Sequence, residues 1–264
     1  GRAGQLEVEG AGQRDNYVAK YGPGGNALWV RQIGGTGDDS GYGVTALPNG
    51  EVYACGNFFN TASFGATNLT SVGQSDIYLA KYDGNGALLW ARKAGGAGAD
   101  SAYAVAADAA GNAYVTGDFA GTADFGGVQL TSGAANNSFV AKYDPTGALV
   151  WAVRIGGAST STAQRITLDS ATNVYVGGSF QGAAQFETLA LTSAGVNDGF
   201  VLKLNASGVA QWVQQFGGAG DDSREIGVGR LVAPGGPLQR RDARPVSAGP
   251  LEPPRGQPSG VGGR

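Results

Sequence analysis

Four copies of one phrase, each 61 residues after the last, decide what this chain can fold into. The phrase reads NYVAKYGPGGNALWVRQIGG at 16–35, IYLAKYDGNGALLWARKAGG at 77–96, FVAKYDPTGALVWAVRIGG at 139–157 and FVLKLNASGVAQWVQQFGG at 200–218. Trp29, Trp90, Trp151 and Trp212 keep the period, as do Lys20, Lys81, Lys142 and Lys203. Gly25, Gly86, Gly147 and Gly208 form another column, and so do Tyr53, Tyr114 and Tyr175. Phe58, Phe119 and Phe180 coincide, then Phe64, Phe125 and Phe186, then Val8, Leu69, Leu130 and Leu191. Self-similarity at a fixed period is the mark of a repeat architecture.

Each unit reads as four strands. The second unit opens with AYAVAAD (102–108), turns at Ala110-Gly111 and continues as NAYVTGDF (112–119). A connection of about 18 residues follows, TADFGGVQLTSGAANN, then SFVAKYD (138–144), a Pro/Gly turn and ALVWAVRI (148–155). Asn49-Gly50 is a strong hairpin signal in the preceding unit. Glycine accounts for 48 of the 264 residues without a collagen-like period of three, so it serves turns. The expectation is an all-β chain folded as part of a β-propeller, with about 3.5 blades of four antiparallel strands.

The pattern (D/N)x(F/Y)VAKYDxxGxLxWxxxxGG, then GDDS, then AVAxDxxGNxYVTGxFxGTADFG resembles the bacterial β-propeller repeat called SBBP, over about residues 6–223. The resemblance implies a propeller fold and a secreted or surface-exposed bacterial protein, and it implies no particular enzyme activity. The blades are expected at 38–98, 99–159 and 160–220, with 1–37 giving the last two strands of an earlier blade. Residues 221–228 read as the broken start of another. Register ends at Ser223, and Gly227 stands where Val44, Val105 and Ile166 set an apolar residue. The Pro/Gly/Arg-rich stretch 229–264 is expected to be disordered and to be out-of-frame or foreign sequence. The missing initiator methionine marks a fragment or a processed chain.

Composition removes whole classes of function. There is no histidine, so no Ser–His–Asp or Cys–His arrangement and no histidine metal site. No Gly-rich loop ends in Lys-Ser/Thr to cradle phosphate. Up to Asp222 the chain has 11 basic and 18 acidic residues and no basic stripe, which argues against nucleic acid. No apolar run approaches the roughly 20 residues of a membrane span. The single cysteine, Cys55, aligns with Thr116 and Gly177 and is expected to be packed and inert.

Three columns carry chemistry worth following. The loops after Gly-Gly read TGDDS, AGADS, ASTST and AGDDS, so Asp38, Asp39, Asp100, Asp221 and Asp222 are candidate calcium ligands. The competing reading is a set of Asx- and ST-turns, favoured because the third loop has no acid. The lysines lie mid-strand between apolar residues and should pair with carboxylates (Asp15, Asp76, Asp198 or the GDD loops) or run their stems to water. The tryptophans are expected to pack between blades rather than act as sugar platforms. DPTGALVW (144–151) resembles the tryptophan-docking repeats of pyrroloquinoline quinone enzymes, which implies the same blade-to-blade role.

The sequence therefore points to a non-enzymatic scaffold or recognition module with a protein or glycan ligand. A lectin-like propeller with one carbohydrate site per blade is the alternative. A third class is an enzyme whose active residues lie elsewhere. Open blade edges predict self-association.

Overall fold

A computed structural model describes residues 10, 12 and 14–222, and among them there are eighteen β-strands and no helix. Val8, Gly227 and the 229–264 stretch lie outside the described residues, as do the blade remnant from residue 223 on and the opening of the 1–37 segment.

The first hairpin is β1 (Asn16–Tyr21) with β2 (Ala27–Gly35). A four-stranded antiparallel blade follows: β3 (Ser40–Ala46), β4 (Val52–Ser63), β5 (Asn68–Tyr82) and β6 (Leu88–Gly96). The next blade uses β7 (Ser101–Ala107), β8 (Ala113–Phe119), β11 (Asn137–Tyr143) and β12 (Leu149–Gly157). The last uses β13 (Ser161–Leu168), β14 (Val174–Phe180), β17 (Asp198–Leu204) and β18 (Ala210–Phe216). The strands run up and down, as a meander with short turns requires. This is the all-β propeller architecture that the repeat implies.

Local chemistry explains the turns. Each third-to-fourth strand turn places a glycine at φ near +80° (Gly25, Gly86, Gly147, Gly208), a conformation that costs other residues. In three of these turns Asp83, Asp144 or Asn205 accepts two backbone amides through one side-chain oxygen. That is the Asx-turn habit of these residues.

The 18-residue connection is where the structure departs from the sequence reading. It is a hairpin, not a loop. β9 (Thr122–Asp124) pairs with β10 (Gln129–Thr131), and β15 (Ala183–Phe186) with β16 (Leu189–Thr192). In the first full blade the same hairpin is continuous with β4 and β5. Each hairpin also pairs backward with the last strand of the preceding blade: Gly34 opposite Ser63, Gly95 opposite Asp124 and Gly156 opposite Gln185. The bend that turns the chain toward its neighbour comes at Asn60, Gly121 and Gly182, all with positive φ. The segments are three or four residues long with only one or two apolar anchors, so alternation alone did not reveal them as strands.

The recurrent aromatics of those hairpins now have a purpose. Phe125 packs 5.9 Å from Phe119 and 4.7 Å from Phe139. Phe186 repeats this with Phe180 and Phe200, and Phe64 with Phe58 and Tyr78. All nine rings are almost completely buried. The middle strands are sandwiched and so are buried on both faces, which is why they read as apolar runs. The first strands of successive blades lie side by side, and a Cβ on Gly43 would stand 3.0 Å from the Ala104 Cα.

Replacing Phe125 by alanine empties the centre of one such triad. Equilibrium denaturant unfolding should show a loss of about 3–5 kcal/mol, the usual cost of deleting a buried phenylalanine.

Candidate functional site

The repeated tryptophans and the buried aspartates meet at the seams between blades. The tryptophan indoles do so most plainly. Trp29, Trp90 and Trp151 each donate their ring N–H to a turn carbonyl of the next blade, that of Gly84, Pro145 and Ala206, at 3.1, 2.9 and 3.1 Å. Each ring lies on the turn glycine: a Cβ on Gly86, Gly147 or Gly208 would come 2.6–2.9 Å from an indole carbon. The glycine column thus answers to the turn and to the indole at once. Where the chain supplies arginine, the clasp is doubled: Arg31 donates to Gly86 O and Arg92 to Gly147 O. The expectation that the tryptophans pack between blades agrees with this geometry. Trp212 keeps the same ring partner in its own blade, Tyr175, at 6.0 Å.

The lysines are held within the blade, between the tyrosine and tryptophan columns. Lys81 pairs across strands with Tyr53 on one side and Trp90 on the other, and Lys142 and Lys203 repeat this with Tyr114 and Trp151, and with Tyr175 and Trp212. The ammonium groups stand 5.4, 5.0 and 5.3 Å from the tyrosine ring centres, a cation–π distance. Lys20 donates instead to Gly84 O. The anticipated acids are not their partners. Lys81 pairs with Glu51 at 2.8 Å, and Asp76 pairs with Lys93 at 3.5 Å. The reason is register: Lys81 lies five residues along the strand from Asp76, so the two occupy opposite ends of the blade.

The loop acids divide by depth. Asp38 is exposed and Asp39 is buried. Asp39 accepts the amides of Gly35 and Phe59, so one carboxylate ties the end of β2 to the bend after β4's first half. Asp100 does the same with Gly96 and Ala120, and Asp222 takes Gly218 N. Asp221 accepts from Asn197. The adjacent pairs Asp38–Asp39 and Asp221–Asp222 do not converge as a two-carboxylate site. Among the described residues no three His, Cys, Asp or Glu side chains gather as a metal cluster. What does converge on Asp39 and Asp100 is a second column, Asp15 and Asp76, which sequence reasoning had offered only as lysine partners. A Cβ on Gly95 would meet Asp76 Oδ1 at 2.8 Å and Asp100 Oδ2 at 2.7 Å. The constant 24-residue offset between these columns was the available signal.

Burial shapes their ionisation. Desolvation lifts the Asp100 carboxyl to about 6 against the amide bonds that favour its charge, and Asp76 adds repulsion. Asp118, desolvated but holding the Tyr103 hydroxyl at 3.0 Å, also rises to about 6. Asp39 and Asp76 are raised, again chiefly by burial. Cys55 is fully buried, with its thiol pushed up to about 12 by desolvation, and so lacks the thiolate needed for reactivity.

Comparison with known proteins follows the same seams. Residues 89–118 and 150–179 each match the family SBBP, a beta-propeller repeat. These matches agree with the all-β propeller fold described above. Each matched segment runs from the fourth strand of one blade through the second strand of the next. The chain is 24% identical over 238 residues to an uncharacterized WD repeat-containing protein of Acanthamoeba polyphaga mimivirus, covering 76% of the chain and 17% of that protein. It is 30% identical over 216 residues to the regulatory protein FlaEY of Caulobacter vibrioides, covering 76% of the chain and 22% of that protein. The chain thus spans about a fifth of the length of these relatives.

Two measurements check the seam. Gly121→Ala meets open space and suffers only its positive φ, which should cost about 1–2 kcal/mol. Gly147→Ala adds a clash with Trp90, worth about 1–3 kcal/mol more, so it should unfold at clearly lower denaturant. Stability should also depend on acid. A carboxyl raised from 3.8 to about 6 binds more protons folded than unfolded, so its burial costs stability progressively as pH rises through 4 to 6. Melting in chelator should therefore occur at a higher temperature at pH 5 than at pH 7.5, and Asp118→Asn should narrow the difference.

Proposed function

We propose that the chain is a non-enzymatic recognition scaffold within a larger secreted or surface protein, and that it presents a strand edge to protein partners. The observation that carries this reading is the state of β1. The equivalent strands β5, β11 and β17 are each hydrogen-bonded on both sides, whereas β1 pairs among the described residues with β2 alone. Beside it lie Tyr17, Tyr42 and Val44, exposed at 63%, 54% and 66%. A cavity of about 170 Å³ opens there, lined by Tyr17, Val18, Tyr42 and Val44. An unpaired edge next to an apolar face is what strand addition uses.

The repeated polar side chains support the non-enzymatic part: tryptophans, lysines and buried aspartates are engaged in joining strands and blades. Neither relative's name states an enzymatic activity. No helix among the described residues is long and apolar enough to cross a membrane. A second copy can supply the missing strand, so self-association belongs to this reading. Light scattering of the full chain should give a multiple of 26.5 kDa, falling to the single-chain mass in Val44→Lys/Tyr17→Lys. A single-chain mass for the unaltered protein would speak against edge pairing between copies.

Carbohydrate binding is the second reading, favoured by one groove. It has a volume of about 680 Å³ and is lined by Arg31, Gln32, Phe64 and Tyr82. The buried Tyr82 hydroxyl has no hydrogen-bond partner. That size suits a small ligand. Saturable binding on a glycan array that disappears in Tyr82→Phe would favour it.

A further inference from the structure

We propose that the seam between the first and second full blades holds a calcium ion, bound by Asp76 and Asp100 together with backbone carbonyls. The chain contains its own comparison. The residue five before the strand lysine of each unit is Asp15, Asp76, Asn137 and Asp198, and the residue 24 further on is Asp39, Asp100, Ser161 and Asp222. The two positions change together: three units have Asp with Asp, and one has Asn with Ser.

The Asn–Ser unit shows what the site demands. Asn137 Nδ2 donates to the carbonyls of Gly157 and Ser159, at 3.1 and 3.2 Å. Its Oδ1 accepts Gly133 N and the Arg154 guanidinium. Ser161 Oγ donates to Ile155 O and accepts Ser138 N. Positive charge and donor protons here come from the protein itself.

The Asp76–Asp100 unit keeps the acceptors but lacks the Asn amide and the Ser hydroxyl, and Lys93 stands where Arg154 does. Asp76 Oδ2 takes Val72 N and faces Lys93. Asp76 Oδ1 has no hydrogen-bond partner, on a residue that is 0% exposed. It lies beside Asp100 Oδ2, the two oxygens flanking the empty position of a Gly95 Cβ. By the repeat, the carbonyls corresponding to Gly157 and Ser159 belong to Gly96 and Gly98. A buried carboxylate oxygen among acceptors needs a cation or a proton. With Asp118 and Lys93 counted, the unit has three acids against one base, whereas the Asn–Ser unit has Arg154 and no acid at those positions. A divalent ion answers that imbalance. Carboxylates and carbonyls without nitrogen or sulfur are the ligand set of calcium rather than of zinc. Calcium would replace the proton that burial favours on Asp100, and it would clamp the end of β6 to the start of the next blade.

The test uses the full chain, stripped with EDTA, at pH 7.5. With a Kd on the order of 0.1–1 mM, as in extracellular modules, 10 mM calcium should raise the melting temperature by roughly 3–8 °C. Magnesium, which loses its water reluctantly, should do less. Equilibrium dialysis should count one fewer bound calcium per chain in Asp76→Asn/Asp100→Ser, which copies the Asn–Ser unit. Asp76→Asn alone serves if the double variant does not fold. No calcium-dependent rise in the unaltered chain, or an equal calcium count in the folded variant, would overturn the proposal. A melt that responds to pH 5 but not to calcium would assign Asp76 Oδ1 to a shared proton and overturn it as well.

Discussion

The backward pairing of the small hairpins is the constraint on which the rest depends. A blade of four twisted strands has two faces to cover and two edges to occupy. The hairpin meets both needs. Its backbone extends the preceding blade's last strand, as at Gly95 and Asp124, and its aromatic tip closes the core of its own blade. The tryptophan clasp on the turn glycine and the aspartate latch between Gly96 and Ala120 then fix the angle between neighbours. Each seam adds a comparable term, as in other repeat proteins.

Most of this was written in the sequence at the level of strands. The middle strands are apolar on both faces because both faces are covered, so NAYVTGDF and SFVAKYD could be read directly. The tryptophan and glycine columns gave the clasp its residues, though not the fact that a glycine lies under each ring. For the lysines, recurrence suggested Asp15, Asp76, Asp198 or the GDD loops as partners, with stems run to water as the alternative, whereas strand geometry gives Lys81 a pair in Glu51 from the adjoining strand's turn. The connecting hairpins were missed because three-residue strands carry too little pattern, and their phenylalanines were visible only as unexplained repeats.

The site was less legible than the fold. Attention fell on neighbouring acids, Asp38 with Asp39 and Asp221 with Asp222, since adjacent carboxylates look paired in one dimension. In a strand, however, successive side chains point to opposite sides, and a turn can send them apart as well. Here Asp38 is exposed and Asp39 buried, while Asp221 and Asp222 are both exposed and turn to different partners, the Asn197 amide and Gly218 N. The partners that meet are 24 residues apart, Asp76 on the third strand of its blade and Asp100 in the loop that leads into the next blade. Their coupled exchange for Asn137 and Ser161 is a signal of three-dimensional contact that a single chain can supply, because it holds four versions of the same place.

The SBBP segments at 89–118 and 150–179 straddle the seam instead of enclosing a blade. A tandem duplication with those limits copies a joint rather than a brick. Each matched segment carries a tryptophan and the latch position (Trp90 with Asp100, Trp151 with Ser161), while the turn that receives the indole comes from the blade that follows, at Pro145 and Ala206. An array can lengthen by such steps without ever presenting two surfaces that have not met before, and individual copies are left free to diverge on their exposed turns.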